Sequence, residues 1–130
     1  MPVTARRRLP LIALVAALAV TLTTACSSGP APPGRSVSGD PERGRAAVLE
    51  YGCASCHSLP DVASVDDDSI APDLHGFDDR DHIAGQIPNR AEELIAWLQD
   101  PQSIEPGTLM PDLGVTEQDA QDIAAYLYRQ

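Results

Sequence analysis

The chain has 130 residues, enough for one domain, and carries 19 acidic side chains against nine basic ones, a formal net charge of −10. All nine basic side chains are arginines. So acidic a protein is not expected to bind nucleic acid or an anionic lipid surface through its charge. The acidity fits docking on a basic or neutral patch of another protein, or simply solubility.

The first 25 residues are predicted to be an export signal and not part of the fold. Three arginines at positions 6–8 precede the apolar run LIALVAALAVTL at 11–22, which is shorter than the ~20 residues of a membrane span. Small residues then lead to Cys26, which stands where bacterial lipoproteins carry their acylated cysteine. The preceding TTA matches a lipobox imperfectly, so an uncleaved signal anchor is the alternative. Either form would tether the chain to the outer face of the cell membrane.

Residues 26–39 are predicted to be a flexible linker that carries the lipid, because they are rich in Ser, Gly and Pro and have little to bury. The folded domain is expected over residues 40–130. Its only aromatic side chains are Tyr51, Phe77, Trp97, Tyr126 and Tyr128. A core this thin is marginal for a domain of this length, and a buried apolar cofactor would supply the missing volume.

Three helices are predicted, and no strand. The first opens at Asp40 followed by a proline, a cap-then-proline start, and runs to Gly52. Gly44 in its interior costs ~1 kcal/mol relative to alanine, which suggests that another helix packs closely there. The acidic, turn-rich stretch 58–88 is long for a loop in a compact domain but reasonable if it wraps a flat cofactor.

The other two helices have their own start signals. The second is expected to begin at Asn89, with Glu92 as its capping-box partner, and to end before Pro101. The third is expected to begin at Thr116, with Asp119 in the equivalent position, and to continue toward the C-terminus with helical spacing of its apolar residues.

The segment CASCH carries the strongest chemical signal, because it places Cys53, Cys56 and His57 at the spacing of c-type haem attachment. The two thiols can add to the two vinyl groups on one edge of haem, and the histidine then ligates the iron. A thioredoxin-like pair would need a strand-to-helix turn, and no strand is predicted. A four-ligand zinc site would need further ligands at finger-like spacing, and only His75 and His82 remain. The predicted cofactor is therefore one covalent haem c.

The second axial ligand is predicted to be Met110, the only methionine after Met1. It lies in a loop flanked by Pro106, Gly107 and Pro111, and a methionine that merely packs in the core is less expected in such a loop. A thioether ligand favours ferrous iron and raises the reduction potential, which suits electron transfer. His75 or His82 in its place would give a bis-histidine haem of lower potential.

Over residues 44–127 the chain resembles class I cytochrome c, and most of all the domain fused to subunit II of haem–copper terminal oxidases. The resemblance is carried by GRAAVLEYGCASCHSL, by APDL at 71–74, by IPNRAEELIAWLQDPQSIEPGTLMPDL and by the final AAYL. It implies an all-α cytochrome c fold, with three main helices and loops wrapped around one haem. It also implies that Gly44 lets the first helix contact the last around Tyr126 and Leu127.

The resemblance implies roles for further residues. The Pro72 carbonyl would accept a hydrogen bond from the His57 ring and fix its orientation. Trp97 would lie near a haem propionate, although a tryptophan on a helix face is often simply part of the core. Arg80 and Asn89 would approach the haem edge.

The function implied is a single-electron carrier, not an enzyme. The expected donor is a quinol-oxidising complex or an exported dehydrogenase, and the expected acceptor is a terminal oxidase. The copper domain and two membrane helices of oxidase subunit II are absent from the sequence, so a stand-alone lipoprotein is expected. The alternatives are a haem subunit of an exported dehydrogenase and a gas or redox sensor in which Met110 dissociates.

Overall fold

A computed structural model describes residues 34–63 and 69–129. The predicted export signal, Cys26 and the first part of the linker lie outside these residues. The helices within them are α1 (Pro41–Glu50), α2 (Ala91–Gln99), α3 (Pro101–Ile104) and α4 (Glu117–Leu127). The all-α class is confirmed.

A short antiparallel ribbon interrupts the long loop between α1 and α2. Its strands are β1 (His82–Ile83) and β2 (Ile87–Pro88), with Ile83 opposite Ile87. The sequence did not predict this ribbon, because two residues per strand are too few to show an alternating pattern.

The N-terminus of α1 forms as its sequence predicts. The Asp40 carboxylate accepts hydrogen bonds from the backbone N–H groups of Glu42 and Arg43. Pro41 occupies the first helical position, where a missing N–H costs nothing.

Gly44 lies where α1 packs against α4. A methyl group on Gly44 would collide with the backbone carbonyl of Asp122 and would also press on the nitrogen of Ile123. The close helix packing predicted from this glycine is therefore confirmed. The contact lies about one turn before the expected segment around Tyr126 and Leu127.

A buried carboxylate fixes the same crossing. Asp122 is 1% exposed, and its oxygens accept hydrogen bonds from Arg43 at 2.8 and 3.0 Å and from the Asp40 backbone N–H at 2.7 Å. The Gln118 side chain adds a fourth bond at 3.2 Å. The hydrogen bonds from Arg43 are the main reason that the pKa of Asp122 lies below its usual value.

Asn89 does not cap α2, and this part of the prediction is wrong. The residue at the N-cap is Arg90, whose side chain makes no capping bond. The Asn89 amide is buried and donates to the carbonyls of Phe77 and Arg80, each at 2.9 Å. Tyr128 donates its hydroxyl to the Asn89 side-chain oxygen at 2.8 Å. The side chain is thus used inside the core, where it holds a loop to α4.

Residues 34–39, the last part of the predicted linker, lie against the domain. The Ala91 N–H, at the start of α2, donates to the Gly34 carbonyl at 2.7 Å and so obtains the acceptor that Arg90 does not supply. Val37 packs against the core, and a methyl group on Gly39 would collide with the Gln121 carbonyl. Composition did not reveal this contact, because it depends on backbone groups and small residues.

The start of α4 agrees with prediction. The Thr116 hydroxyl accepts from the Asp119 N–H at 3.2 Å and donates to the Asp119 carboxylate at 2.6 Å. Along 34–63 and 69–129, no helix is both long and apolar enough to cross a bilayer.

Candidate functional site

The two cysteines and the histidine follow α1 in one tight turn. Gly52 has a φ of 71°, in the left-handed region, and this redirects the chain into the 3₁₀ turn Cys53–Ser55. The backbone N–H groups of Cys56 and His57 both donate to the Cys53 carbonyl, at 3.2 and 3.0 Å. Both thiols are free and partly buried, and burial raises the pKa of Cys53.

This turn forms part of the wall of a cavity of about 790 Å³. The volume lies within the ~300–1,000 Å³ typical of sites that hold small molecules. Its walls are mainly apolar and include Leu74, Phe77, Ile83, Leu94, Trp97, Leu98 and Leu127. An apolar cavity beside the CASCH segment is therefore present, as the thin core led us to expect.

The His57 ring is held by a backbone carbonyl. Its Nδ1 atom lies 2.7 Å from the Pro72 oxygen. Because a carbonyl only accepts, Nδ1 carries the proton, and Nε2 is left as the nitrogen that can bind a metal. The loop that presents this carbonyl is bonded to the motif, since the Ala71 N–H and the Ser69 hydroxyl donate to the Cys56 carbonyl at 3.2 and 2.5 Å.

Met110 lines the same cavity from the loop between α3 and α4. The Gln102 side chain holds this loop. Its Nε2 atom donates to the carbonyls of Thr108 and Met110 at 2.7 and 3.2 Å, and its oxygen accepts from the Gly107 N–H at 3.3 Å. The role of Gln102 was not predicted from the sequence, where its position just before this loop is the only signal.

Of the other expected residues, Trp97 and Arg80 line the cavity, and Trp97 is 7% exposed. Asn89 is not among the lining residues, and its amide lies in the core network described above; its approach to a haem edge stays a prediction. Of the two alternative ligands, His82 lines the cavity and His75 does not.

A bare metal ion has no evident site in this part of the protein. Within 34–63 and 69–129, no three His, Cys, Asp or Glu side chains converge to hold one. The structure therefore offers no support there for the zinc alternative, which needs four such ligands.

Residues 41–129 match the family model for cytochrome c. The chain belongs to the cytochrome c family. Haem c is the cofactor of this family and is attached through the two cysteines of CxxCH, here Cys53 and Cys56. The residues present fit this group, because two free thiols, an imidazole with an available Nε2, a thioether and apolar walls all border one cavity.

This cytochrome c domain is similar to part of two oxidase subunits. It is 34% identical over 86 residues to cytochrome c oxidase subunit 2 of Alkalihalophilus pseudofirmus. The matched segment covers 65% of this chain and 24% of that protein. It is 33% identical over 88 residues to cytochrome c oxidase subunit 2 of Bacillus subtilis, and this match covers 67% of this chain and 25% of that protein. The chain thus spans about a quarter of the length of these relatives. The resemblance to the haem domain of oxidase subunit II is confirmed.

Proposed function

We propose that the protein is a membrane-tethered carrier of single electrons in a respiratory chain. A quinol-oxidising complex or an exported dehydrogenase would be the donor, and a terminal oxidase the acceptor. When bound, the haem supplies an iron that takes up and gives up one electron. The observation that carries the proposal is that His57 and Met110, far apart in the sequence, line one cavity with the two cysteines.

Each residue of the site has a role in this proposal. Cys53 and Cys56 would fix the cofactor in the cavity, and the His57 Nε2 and the Met110 sulfur would bind its iron. The Pro72 carbonyl orients the imidazole and raises its basicity. Trp97 closes the apolar wall. If His57 and Met110 both bound the iron, no coordination position would be left for a substrate, which favours a carrier over an enzyme.

The tether is proposed from the sequence. Cys26 would be lipidated after export and would hold the domain at the outer face of the cell membrane. A tether confines carrier and partner to one surface and raises their effective concentration. The similarity to two cytochrome c oxidase subunits supports an oxidase as the acceptor.

The ligand assignment is tested on the full chain with haem attached. Ferric protein should show the far-red sulfur-to-iron charge-transfer band, and Met110→Ala should lose that band, bind carbon monoxide when ferrous and have a lower reduction potential. Leu49→Ala, at an exposed position outside the cavity wall, is the control and should keep all three properties. An unchanged potential in Met110→Ala would exclude Met110 as ligand, and wild-type protein without the band would favour His82 or a gas sensor.

The respiratory role is tested by oxygen uptake of membranes that contain a terminal oxidase. Added full-length protein should accelerate uptake, and Cys26→Ser should leave the membrane fraction and stimulate less at the same total amount. Reduction by an exported dehydrogenase without any oxygen uptake would instead favour the dehydrogenase-subunit alternative.

A further inference from the structure

Arg35 lies outside the residues that match the cytochrome c family, yet it makes three hydrogen bonds to the domain. Its Nε atom donates to the Asn89 carbonyl at 3.2 Å and its Nη2 atom to the Arg80 carbonyl at 2.5 Å. Its Nη1 atom donates to the Asp78 carbonyl. A planar guanidinium with donors in a fixed fork suits such a set of acceptors, and a lysine ammonium does not.

The loop that Arg35 binds belongs to the wall of the haem cavity. Phe77 and Arg80 both line the cavity, and the Arg80 guanidinium lies 5.9 Å from the centre of the Phe77 ring. The same guanidinium donates to the Asp73 carbonyl and, at 3.3 Å, to the His75 carbonyl. Arg35 therefore binds the backbone of Arg80, and the Arg80 side chain binds the loop that carries Asp73 and His75.

That next loop presents the acceptor for His57, the proposed iron ligand. Asp73 directly follows Pro72, whose carbonyl binds the Nδ1 proton of His57. The bonds thus run without interruption from Arg35 to the Arg80 backbone, from the Arg80 side chain to Asp73, and through one peptide unit to Pro72.

We infer that Arg35 is a positioning residue for the haem site, acting through Arg80 and the 72–75 loop to keep the Pro72 carbonyl on the His57 ring. The inference rests on the proposed role of His57 as iron ligand. It gives residues 34–39 a function beyond that of a spacer, since the segment that leads toward the tether also holds the ligand geometry.

The effect of losing Arg35 should be partial. Asn89 also donates to the Arg80 carbonyl, and the Ala91 bond to Gly34 keeps the segment near α2. The loop should therefore remain folded in a variant but open more often. Each opening frees the His57 Nδ1 proton to exchange with water, and a looser bond to Pro72 makes the imidazole a weaker donor, which raises the reduction potential.

The test uses the full ferrous holoprotein with isotope-labelled histidine. In Arg35→Gln, we expect exchange of the His57 Nδ1 proton to accelerate about tenfold, as when one hydrogen bond from a charged donor no longer holds the loop. The reduction potential should rise in the same variant. Arg35→Lys keeps the charge but not the fork and should behave like Arg35→Gln. Arg129→Gln removes an equal charge from an exposed C-terminal residue and should match wild type.

The outcomes separate this inference from the proposal on which it rests. Wild-type exchange and potential in Arg35→Gln, with only a lower melting temperature, would mean that Arg35 merely stabilises the fold. Rescue by Arg35→Lys would mean that only its charge matters. If the His57 ring protons of wild-type protein lack the large shifts caused by a bound haem, His57 is not the ligand and the proposed site itself fails.

Discussion

Gly44 in α1 lies against the backbone carbonyl of Asp122 in α4, and no side-chain atom fits between the two helices at this point. Helix propensity alone favours alanine over glycine at an interior position by ~1 kcal/mol. The collision with a backbone atom reverses this preference, because neither helix can yield as a flexible side chain would. A single small residue therefore sets how closely the first and last helices approach.

We predict that Gly44→Ala lowers the free energy of unfolding by about 2 kcal/mol, measured by urea denaturation of the holoprotein. Ala46→Gly on the exposed side of the same helix is the control and should cost only ~1 kcal/mol, from propensity. A Gly44→Ala protein more stable than wild type would show that the helices can move apart without loss.

Replacing Asp122 by Asn should lower the free energy of unfolding by about 2 kcal/mol at neutral pH, because the hydrogen bonds from Arg43 lose their charged acceptor. The pKa of Asp122 is lower in the folded chain than in the unfolded one. The contribution is thus fully present above about pH 4 and is lost as the pH falls through the lowered value.

Wild type and Asp122→Asn should consequently converge in stability in acid. Urea denaturation over a series of acidic pH values measures this difference. Asp81→Asn, at an exposed position, serves as control and should differ little from wild type throughout. A constant gap between wild type and Asp122→Asn at all pH values would contradict the assignment.

The pair of Tyr128 and Asn89 should be energetically coupled. Tyr128→Phe leaves the Asn89 oxygen without its donor and should cost about 1–2 kcal/mol. Asn89→Ala releases the carbonyls of Phe77 and Arg80 and should cost about 3 kcal/mol. The double variant should lose less than the sum of the two, by about 1 kcal/mol in denaturation experiments. Simple additivity would mean that the bond is not formed in solution.

The Tyr128 phenol should ionise only at unusually high pH. Burial is the main reason that its pKa is raised to about 12. Because the folded value exceeds the unfolded one of ~10, the stabilising effect of the neutral phenol is present below about pH 10 and disappears as the pH rises through the folded value. The phenolate absorbance of wild type minus that of Tyr128→Phe measures this titration, and a midpoint near the unfolded value would contradict it.

The fold should depend on the covalent cofactor. Without the cofactor, the apolar walls of the 790 Å³ cavity would face water, and the domain would lose the hydrophobic stabilisation that a bound haem supplies. The double variant Cys53→Ala, Cys56→Ala should therefore lose the cooperative thermal transition that the haem-loaded wild type shows. Ser55→Ala in the same segment should keep both the haem and the transition, and a cooperative melt of the double variant would overturn this expectation.

The features that the sequence predicted are those governed by neighbouring residues. Asp40 with its following proline, and Thr116 with Asp119, are local capping signals, and both helices start where these signals place them. The CASCH spacing is local as well, and it predicted the cofactor.

The features that the sequence did not reveal depend on distant partners. Asn89 looks like a cap because it precedes an apolar helical pattern, yet its partners are Phe77, Arg80 and Tyr128. Residues 34–39 look like a linker because they are small and polar, yet Arg35 finds three carbonyls that only the folded loop assembles. The composition of a segment indicates how much apolar surface it can bury. It does not indicate which hydrogen-bond acceptors the folded chain brings close to that segment.

The arginines of this chain also shape what an approaching molecule meets. Arg35 and Arg80 turn their guanidinium groups onto backbone carbonyls, and Arg43 turns its own onto Asp122. Ten described acidic side chains are exposed against four described arginines, so exposed negative charge outnumbers exposed positive charge over 34–63 and 69–129. Physiological salt screens charges over ~8 Å, so the negative electrostatic potential of the acidic surface is weak at longer distances. Encounters with a cationic partner should accordingly be fastest at low ionic strength and slow steeply as salt is added.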